Sequence, residues 1–347
     1  MKVALSCDQI VERDYPVEVF EVFCNLFYNS DAYCIRHKPG IVLGSIEQRK
    51  IKSTYLSRVF KKSKSLNKLA WLIPNAIKNI FISCENDFIF NVSTGFSHGI
   101  NKCEKSKLLS YIYRMPDLEE SFMSKIFSSY INKVNKENFD QIDTLWVSSE
   151  DVKKKILSIG YSGNIDVVLP PVDLQDYPYL EDVGFSRNTV IVNSEGVDLD
   201  VLENVVNSLE NLGMKYIVVG HDDHLPESFK RDSNKFLGWK CSGELSPIIL
   251  DSLLLIDLQA HFPQYAIRSM ASGRGVIILE NEFINEDLSA GIVCLKDVKN
   301  LKGALKSVNW KNLESKKLIS AANKFHLSKF KGSLLRYCND HNIPINE

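Results

Sequence analysis

Two runs of short apolar strands alternating with amphipathic helices constrain the fold of this 347-residue chain most strongly. The first run covers residues 3–169, and the second begins at Thr189. Between them lies Pro170-Pro171, where proline fixes the backbone and removes ladder donors, so that no strand continues through it. Strand–helix alternation favours a parallel sheet with helices on both faces. Because the chain is too long for one ordinary core, we expect two Rossmann-like domains.

We expect an N-terminal domain over residues 1–172, a linker over 173–187, a second domain over 188–325, and a C-terminal helix and tail over 326–347. The net charge of −1 gives no argument for binding nucleic acid. The start of the chain lacks a signal-peptide pattern, and no apolar run has the length to span a bilayer. None of the eight cysteines forms a C-x-x-C pair, which predicts reduced thiols in a cytoplasmic protein.

Residues 262–279 predict a short helix that leads into a buried strand. Pro263 suits the first helical turn, and Gly273 suits the left-handed residue just past the end. The start of such a helix, at the carboxyl edge of a parallel sheet, is where proteins commonly hold a diphosphate. The stretch therefore indicates a binding site for a ligand that carries phosphates.

Five fragments follow one another along the chain in a characteristic order. They cover residues 3–13, residues 145–149 with 167–173, residues 216–220, residues 236–239 and residues 270–273. In this order they resemble the retaining family-four glycosyltransferases of lipopolysaccharide and capsule synthesis. The resemblance implies the GT-B fold, in which two Rossmann-like domains face a central cleft and a C-terminal helix crosses back. It also implies transfer of a hexose from a nucleotide-diphosphate sugar to a lipid-linked or polysaccharide acceptor, without a cofactor.

Several polar positions depart from the family pattern. The glycine pair expected before the first helix reads Asp14-Tyr15, and the histidine expected near residues 111–114 is absent. The Arg and Lys that clamp the donor phosphates align with residues 193–196, where neither occurs, and the paired glutamates fall on Ala260 and Arg268. A charge-assisted bond to phosphate contributes about 1.5–3 kcal/mol, so donor binding weakens unless other cations substitute. The alternative is a catalytically degenerate GT-B protein that acts as partner or scaffold of an intact glycosyltransferase.

The resemblance places the nucleotide sugar beside two loops of the second domain. The residues assigned to donor binding are Gly238, Trp239, Lys240, His261, Phe262, Arg268 and Arg274. Arg268 either forks onto a phosphate or is a surface arginine, and His261 either contacts the donor sugar or packs at the helix entry. Asp8 and Glu18 are the candidate catalytic carboxylates beside the acceptor, because a general base must reach the acceptor hydroxyl.

A strongly basic segment, residues 49–68, contains no acidic residue. Apolar residues interleave with its lysines, which is the pattern of a helix that lies on a membrane surface. We expect Lys61, Lys62, Lys64 and Trp71 to face the inner side of the cytoplasmic membrane in a peripherally associated protein. The alternative is a helix that packs on the core and leaves its basic face in water.

His221-Asp222-Asp223-His224 contains residue types that bind metals. The segment follows a strand that ends at Gly220 and precedes Pro226, which indicates a solvated loop. We therefore expect no metal site.

Overall fold

The computed structural model describes residues 1–60, 66–116, 118, 122–180, 186–220, 225, 235–259 and 261–345. They form two compact units, of which the first comprises Met1–Pro170 with Phe330–Glu347 and the second Pro171–Lys329. The chain thus divides after Pro170 and after Lys329, where the sequence analysis placed boundaries after residues 172 and 325. Each unit is built on a parallel sheet with helices, as the alternation predicts.

The described residues of the first unit contain a seven-stranded parallel sheet. Its strands are β1 Val3–Ile10, β2 Asp31–His37, β3 Ile51–Ser53, β5 Phe88–Ser93, β7 Lys107–Ile112, β8 Thr144–Val147 and β9 Ile165–Val167. The order is β3-β2-β1-β5-β7-β8-β9, so the strand order reverses between β1 and β5. Strand β5 is buried along its whole length, as expected where helices cover both faces of a parallel sheet. Such a reversal marks the place where doubly wound folds bind ligands.

A disulfide joins Cys84 to Cys103, with the two Cα atoms 5.1 Å apart. It lies next to a small parallel pair of strands, β4 Phe81–Ile82 and β6 Asn101–Lys102. The expectation that all cysteines are reduced is therefore wrong for this pair. The absence of a C-x-x-C pattern could not reveal a bond between residues that are 19 positions apart.

Local sequence signals explain where the helices of the first unit begin. They are α1 Tyr15–Leu26, α2 Leu56–Val59, α3 Ile73–Ile77, α4 Phe122–Ile126, α5 Ser128–Phe139 and α6 Glu150–Ser158, with 3₁₀ turns at Asn67–Leu72 and Ser97–Gly99. Asp14 caps α1, accepting from Val17 N at 3.1 Å, and Pro16 lies in the first turn. Ser149 caps α6, accepting from Val152 N at 3.2 Å. Phe127 separates α4 from α5, and the apolar periodicity of the sequence continues across it.

The described residues of the second unit contain a six-stranded parallel sheet. Its strands are β10 Thr189–Asn193, β11 Lys215–Val219, β12 Phe236–Gly238, β13 Ser252–Asp257, β14 Gly275–Leu279 and β15 Ile292–Leu295. The helices are α7 Leu199–Asn211, α8 Ser242–Leu250, α9 Gln264–Ala271, α10 Leu301–Ser307 and α11 Ser315–Ala322, with 3₁₀ turns at Val298–Asn300 and Asn323–Phe325. The order is β12-β11-β10-β13-β14-β15, so the strand order reverses between β10 and β13.

The last helix, α12 Leu327–Asp340, returns the chain to the first unit, as the resemblance implies. The ring of Phe330 lies edge-on to Phe23 at 5.8 Å and to Tyr111 at 5.3 Å. Tyr337 packs similarly against Phe90 at 6.0 Å. These buried aromatic contacts fix the helix on the core of the first unit. No helix among the described residues has the length and apolar character needed to cross a membrane.

Candidate functional site

The reversal point of the second sheet contains a buried polar network at the carboxyl ends of β10 and β13. Asn193 ends β10 and Asp257 ends β13, and both are almost fully buried. Asn193 Nδ2 donates to Asp257 Oδ1 at 2.9 Å across the two strands. Gln259 Nε2 and the backbone N–H of Ala266 donate to Asp257 Oδ2 at 3.1 and 3.2 Å. Asp257 therefore receives hydrogen bonds from three residues at the position where this fold class places a ligand.

The carboxylate of Asp257 also changes the electrostatics at the start of α9. Ala266 is the third residue of that helix, so its N–H is one of the donors that a helix leaves without an intrahelical partner. Asp257 accepts from this group and so takes one of the donors that phosphates use at helix N-termini. Burial raises the pKa of Asp257, while the bonds from Asn193, Ala266 and Gln259 oppose the rise.

The first turn of α9 presents a buried acceptor beside this network. Pro263 is the N-cap residue, one position earlier than a first-turn proline, and makes no side-chain cap bond. Gln264, the first helical residue, is 7% exposed, and its buried Oε1 has no hydrogen-bond partner among the described residues. A buried acceptor without a donor costs about 1–3 kcal/mol, so a ligand hydroxyl or amide that reached Gln264 would gain from it.

The end of α9 confirms the role predicted for Gly273. Its φ is +71°, and its N–H donates to Met270 O at 2.9 Å while Arg274 N donates to Ser269 O at 3.0 Å. These two bonds form the helix-ending motif in which a left-handed glycine satisfies the last carbonyls. A Cβ at Gly273 would also lie 2.6 Å from the ring of Tyr179, so a side chain has no room.

The two arginines that the sequence assigns to donor binding lie in different surroundings. Arg268 is half-buried on α9, and its Cζ lies 5.4 Å from the ring centre of Tyr265 and 5.8 Å from that of Tyr177. Cation–π contacts of this kind hold the guanidinium beside both rings. Arg274 is only 3% exposed, and its Nε donates to Leu250 O at 3.1 Å. Contact of Arg274 with a diphosphate would require displacement of these surroundings and stays a prediction.

The loop after β12 holds the other predicted donor-binding residues. Gly238 has a φ of +68°, which turns the chain sharply, and Trp239 is 46% exposed. Lys240 Nζ lies 3.7 Å from Glu244 Oε1, so a carboxylate of α8 already neighbours its charge. Donor binding by this loop stays a prediction.

The two residues before Pro263 also differ. His261 is exposed, whereas Phe262 is buried and packs against the rings of Phe283 at 5.0 Å and Phe325 at 5.5 Å. The Phe262 side chain is therefore part of the core, and only its backbone remains a candidate for donor contacts. His261 keeps its predicted role at the helix entry.

The reversal point of the first sheet contains Asp8, which is 4% exposed. Asp8 accepts from Ser93 Oγ at 3.0 Å, from the backbone N–H of Thr94 at 2.5 Å and Ser97 at 2.6 Å, and from the hydroxyl of Thr94. Both carboxylate oxygens are thus engaged in holding the loop that follows β5. These contacts give Asp8 a positioning role, and proton transfer by Asp8 stays a prediction.

The start of α1 holds two further carboxylates. Glu18 is half-buried in the first turn, where its charge suits the helix dipole. Burial raises the pKa of the capping residue Asp14 from an ordinary 3.8 to about 7, which Glu12 reinforces and Arg114 opposes. The chain therefore places a titratable carboxylate where the resembled family has glycines. A catalytic role for Glu18 stays a prediction.

The predicted membrane-facing residues are only partly described. Lys61, Lys62 and Lys64 lie outside the described residues, as do His221 to His224 of the metal hypothesis. Trp71 is half-buried in the 3₁₀ turn Asn67–Leu72 and packs against the hydrophobic core. In the described parts of residues 49–68 the chain forms β3 and the short α2, which corrects the single long surface helix. Arg49 is internal, donating to the carbonyls of Cys24, Phe27, Ser30 and Ser45.

Sequence reasoning missed the three side chains that define the second reversal point, Asn193, Asp257 and Gln264. An available signal was the polar residue that ends each apolar strand, since the carboxyl ends of parallel strands meet at one edge of the sheet. The alignment with the family drew attention to other positions. In the family alignment, Asn193 stands where an Arg or Lys would bind the donor phosphates, and this alignment gives Asn193 no further role.

The structure is similar to solved glycosyltransferase structures. HepE from Anabaena, determined in complex with UDP, superposes with a TM-score of 0.67 at 12% identity, covering 98% of this chain and all of that one. The lipopolysaccharide outer core galactosyltransferase WaaB gives 0.60 at 12% identity, with 97% and 100% covered. The GtfA/B complex gives 0.54 at 12% identity, with 78% and 59% covered. No family model and no curated protein sequence matches this chain. The fold is GT-B, with two Rossmann-like units.

Proposed function

We propose that the chain is a glycosyltransferase of the retaining family-four type that transfers a hexose from a nucleotide-diphosphate sugar. The acceptor is a lipid-linked sugar or a polysaccharide. Support comes from the GT-B fold and from neighbours that include a UDP complex and a galactosyltransferase. Because these neighbours share only 12% of residues with the chain, the proposal depends on the site itself.

The observation that carries this proposal is the buried Oε1 of Gln264 at the first turn of α9. An amide carbonyl in this position accepts one hydrogen bond from a neutral donor, and ribose and hexose hydroxyls are donors of that kind. The turn lies above the reversal point of the sheet, where this fold class binds nucleotides. A ligand hydroxyl that reaches Gln264 would donate to an oxygen that no described residue of the chain satisfies.

In this reaction the site must stabilise the negative charge that develops on the leaving nucleotide diphosphate. Helix N-termini and cations directed at the developing charge provide this stabilisation, and here they would be the positive end of the α9 dipole and the guanidinium of Arg268. Glu18, in the first unit, is the residue proposed to act on the acceptor hydroxyl. No metal ion is needed in this mechanism.

A second candidate function is favoured by the Asp257 network. The buried carboxylate takes the N–H of Ala266 and adds negative charge where a diphosphate would lie. No Lys or Arg occurs between Arg187 and Lys215, so the usual cationic clamp has no substitute in that stretch of sequence. On this basis the chain would be a degenerate GT-B protein that supports an intact glycosyltransferase, and the neighbour GtfA/B is itself a complex of two chains.

Thermal unfolding of the full chain with UDP, GDP, ADP and their sugar conjugates tests the first proposal. A nucleotide present at a hundredfold excess over its dissociation constant stabilises the folded state by about 2.7 kcal/mol, and we expect such a shift with one nucleotide class. Gln264→Leu should weaken that nucleotide about tenfold, since the polar contact is lost. Gln175→Leu, an exposed site in the same unit, is the matched control and should leave the affinity unchanged.

Arg268→Ala tests the cation separately. We expect a loss of affinity for nucleotide diphosphates and a smaller loss for the nucleoside alone, because the guanidinium would contact a phosphate. An unchanged affinity removes Arg268 from the site. Absence of any shift, with no hydrolysis of donor sugars and co-purification of a second glycosyltransferase, would favour the degenerate partner.

A further inference from the structure

A segment without helix or strand packs on the second unit at the start of the predicted linker. We call residues 171–180 the strap. The backbone N–H of Val172 donates to Phe325 O at 2.7 Å, which fixes the beginning of the strap. Further along, the side chains of Leu174 and Tyr177 are 6% and 2% exposed. The strap is therefore held against the unit by a backbone bond and by two buried side chains.

The buried ring of Tyr177 brings the strap to the guanidinium of Arg268. The Cζ atom of Arg268 lies 5.8 Å from the ring centre of Tyr177 and 5.4 Å from that of Tyr265. Tyr265 belongs to α9, like Arg268 itself, whereas Tyr177 comes from the strap. Aromatic rings attract a guanidinium electrostatically, and the attraction increases when water is excluded. Two separate segments of the second unit therefore hold this one cation.

The backbone of α9 directs the side chain of Arg268 towards the start of the helix. Helical side chains tilt towards the N-terminus, so that each one covers the turn before its own. The contact of Arg268 with the ring of Tyr265, one turn earlier, agrees with this direction. Gln264, the first residue of α9, lies on the same side of the helix as Arg268. The guanidinium thus extends towards the first turn, where the proposed function places the donor diphosphate.

An aromatic contact suits an arginine that binds phosphate. A ring that holds a guanidinium leaves its positive charge in place, and the planar fork of N–H donors matches phosphate oxygens. A long side chain that is already held in position also loses less conformational entropy when a ligand binds. A tyrosine beside Arg268 therefore favours phosphate binding without contacting the ligand.

We propose that Tyr177 is a positioning residue that holds the guanidinium of Arg268 in place for the diphosphate of the donor. This role rests on the proposed function and extends it, because it gives a part in donor binding to a segment that lies outside the sheet and helices of the second unit. The group recognised through Arg268 is the diphosphate itself. Tyr177 should therefore matter for nucleoside diphosphates and for pyrophosphate, and not for nucleosides.

Titration calorimetry of the full chain with UDP, GDP, ADP, their nucleosides and inorganic pyrophosphate tests this role. Tyr177→Leu should weaken the binding of diphosphates about fivefold, which is the worth of one cation–π contact, and should change nucleoside binding less than about twofold. Tyr177→Phe keeps the ring and should bind every ligand like the unaltered chain. When Arg268→Ala is already present, Tyr177→Leu should cause no further loss, because the contact that it removes is gone.

Tyr179→Leu is the matched control. Tyr179 lies in the same strap, but its ring packs beside Gly273 at the other end of α9, so this variant should leave every affinity unchanged. Thermal unfolding shows whether each variant is folded. If Tyr177→Leu does not unfold cooperatively, Tyr177→Met takes its place, because the flexible methionine side chain fills irregular core spaces without supplying a ring.

Equal diphosphate binding by Tyr177→Leu and the unaltered chain overturns the role of Tyr177 and leaves the proposed function intact, since the nucleotide still binds. An equal loss for diphosphates and nucleosides also overturns it, because Tyr177 would then support the fold of the site and not Arg268. If no nucleotide binds the unaltered chain, the proposed function fails. A pyrophosphate affinity that Tyr177→Leu lowers about fivefold would still support the contact with Arg268, whereas no pyrophosphate binding would overturn it as well.

Discussion

The two sheets each place a buried aspartate at the point where strand order reverses, but the two side chains hold different structures. Asp8, in β1, fastens the loop that follows β5 through Ser93, Thr94 and Ser97. Asp257, at the end of β13, fastens the first turn of a helix through Ala266. In the first unit the carboxylate of Asp8 accepts hydrogen bonds from a loop, whereas in the second the carboxylate of Asp257 accepts one from the first turn of a helix.

This difference has an electrostatic consequence. Doubly wound sheets commonly bind a ligand at the reversal point, and helix N-termini there attract anions. Helix α1 of the first unit has its own cap, Asp14, so Asp8 leaves that terminus untouched. In the second unit Asp257 adds a buried negative charge to the terminus proposed for the diphosphate. The choice between the two candidate functions therefore depends on whether the charge of Asp257 prevents a diphosphate from binding.

The largest expected effect is on stability, and it compares the two aspartates directly. Asp8→Ala should lower the free energy of unfolding by about 3 kcal/mol, because buried donors of the Ser93–Ser97 loop lose their acceptor. Asp257→Ala should cost less, about 2 kcal/mol, since burial already raises the pKa of that carboxyl and disfavours its charge. Urea unfolding of each variant measures both values.

Asp200→Ala supplies the control, because Asp200 is exposed in the first turn of α7 and should change stability by less than about 0.5 kcal/mol. A larger loss for Asp257→Ala than for Asp8→Ala would show that the helix terminus depends on its carboxylate more than the loop does. The assignment of Asp8 as a positioning residue would fail if its alanine variant were as stable as the control.

Nucleotide affinity should change in the opposite direction at Asp257. Asp257→Asn retains an acceptor for Ala266 N but removes the negative charge, so we expect nucleotide diphosphates to bind about tenfold more tightly. Nucleosides without phosphates should show little gain. Isothermal titration calorimetry of each variant with UDP and with uridine measures the two affinities separately.

Asp200→Asn removes the same charge from the surface of the same unit and should leave UDP binding unchanged. If the Asp257→Asn variant and the unaltered chain bind UDP equally, Asp257 does not oppose the phosphate. The argument for a degenerate partner then loses its main support. If neither the variant nor the unaltered chain binds any nucleotide, the result contradicts the glycosyltransferase proposal instead.

The fold followed from the sequence because its determinants are local. Alternating strands and helices, the proline pair at 170–171, the Ser149 cap and the left-handed Gly273 all act within a few residues of themselves. The resemblance added the return of α12 to the first unit. The break between α4 and α5 at Phe127 cannot be predicted from the sequence, because the periodicity of apolar residues continues through it.

The site was harder to predict because its interactions are long-range. Asp257 meets Asn193, 64 residues away, and Asp8 meets Ser93, 85 residues away, only after the sheets have formed. The sequence suggests catalysis for Asp8 and no role for Asp257, although each lies where the strand order of its sheet reverses. Arg274, which the sequence assigns to donor binding, is buried and donates to Leu250 O. No local sequence pattern predicts this burial.

The pH-dependent effect concerns Asp14, which decides whether the helix terminus of the first unit also carries a charge near neutral pH. Its pKa of about 7 lies above the ordinary 3.8, because burial favours the protonated form in the folded chain. Its contribution to stability is therefore fully present below the ordinary value and is lost as pH rises through about 7. Asp14→Asn keeps an acceptor for Val17 N and should remove this loss, whereas Asp14→Ala should lower stability by about 1 kcal/mol, the usual worth of a cap.

Urea unfolding at about pH 5 and about pH 8 measures the loss as a difference between the two conditions. Asp198→Asn is the matched control, since Asp198 is the N-cap residue of α7 but makes no side-chain cap bond. We expect Asp14→Asn to be stabilised relative to the unaltered chain at the higher pH and the control to be unaffected. If the unaltered chain loses no more stability with rising pH than Asp14→Asn does, Asp14 is already ionised at the lower pH. Both units would then present a charged carboxylate at a helix start, and the contrast between their two termini would disappear.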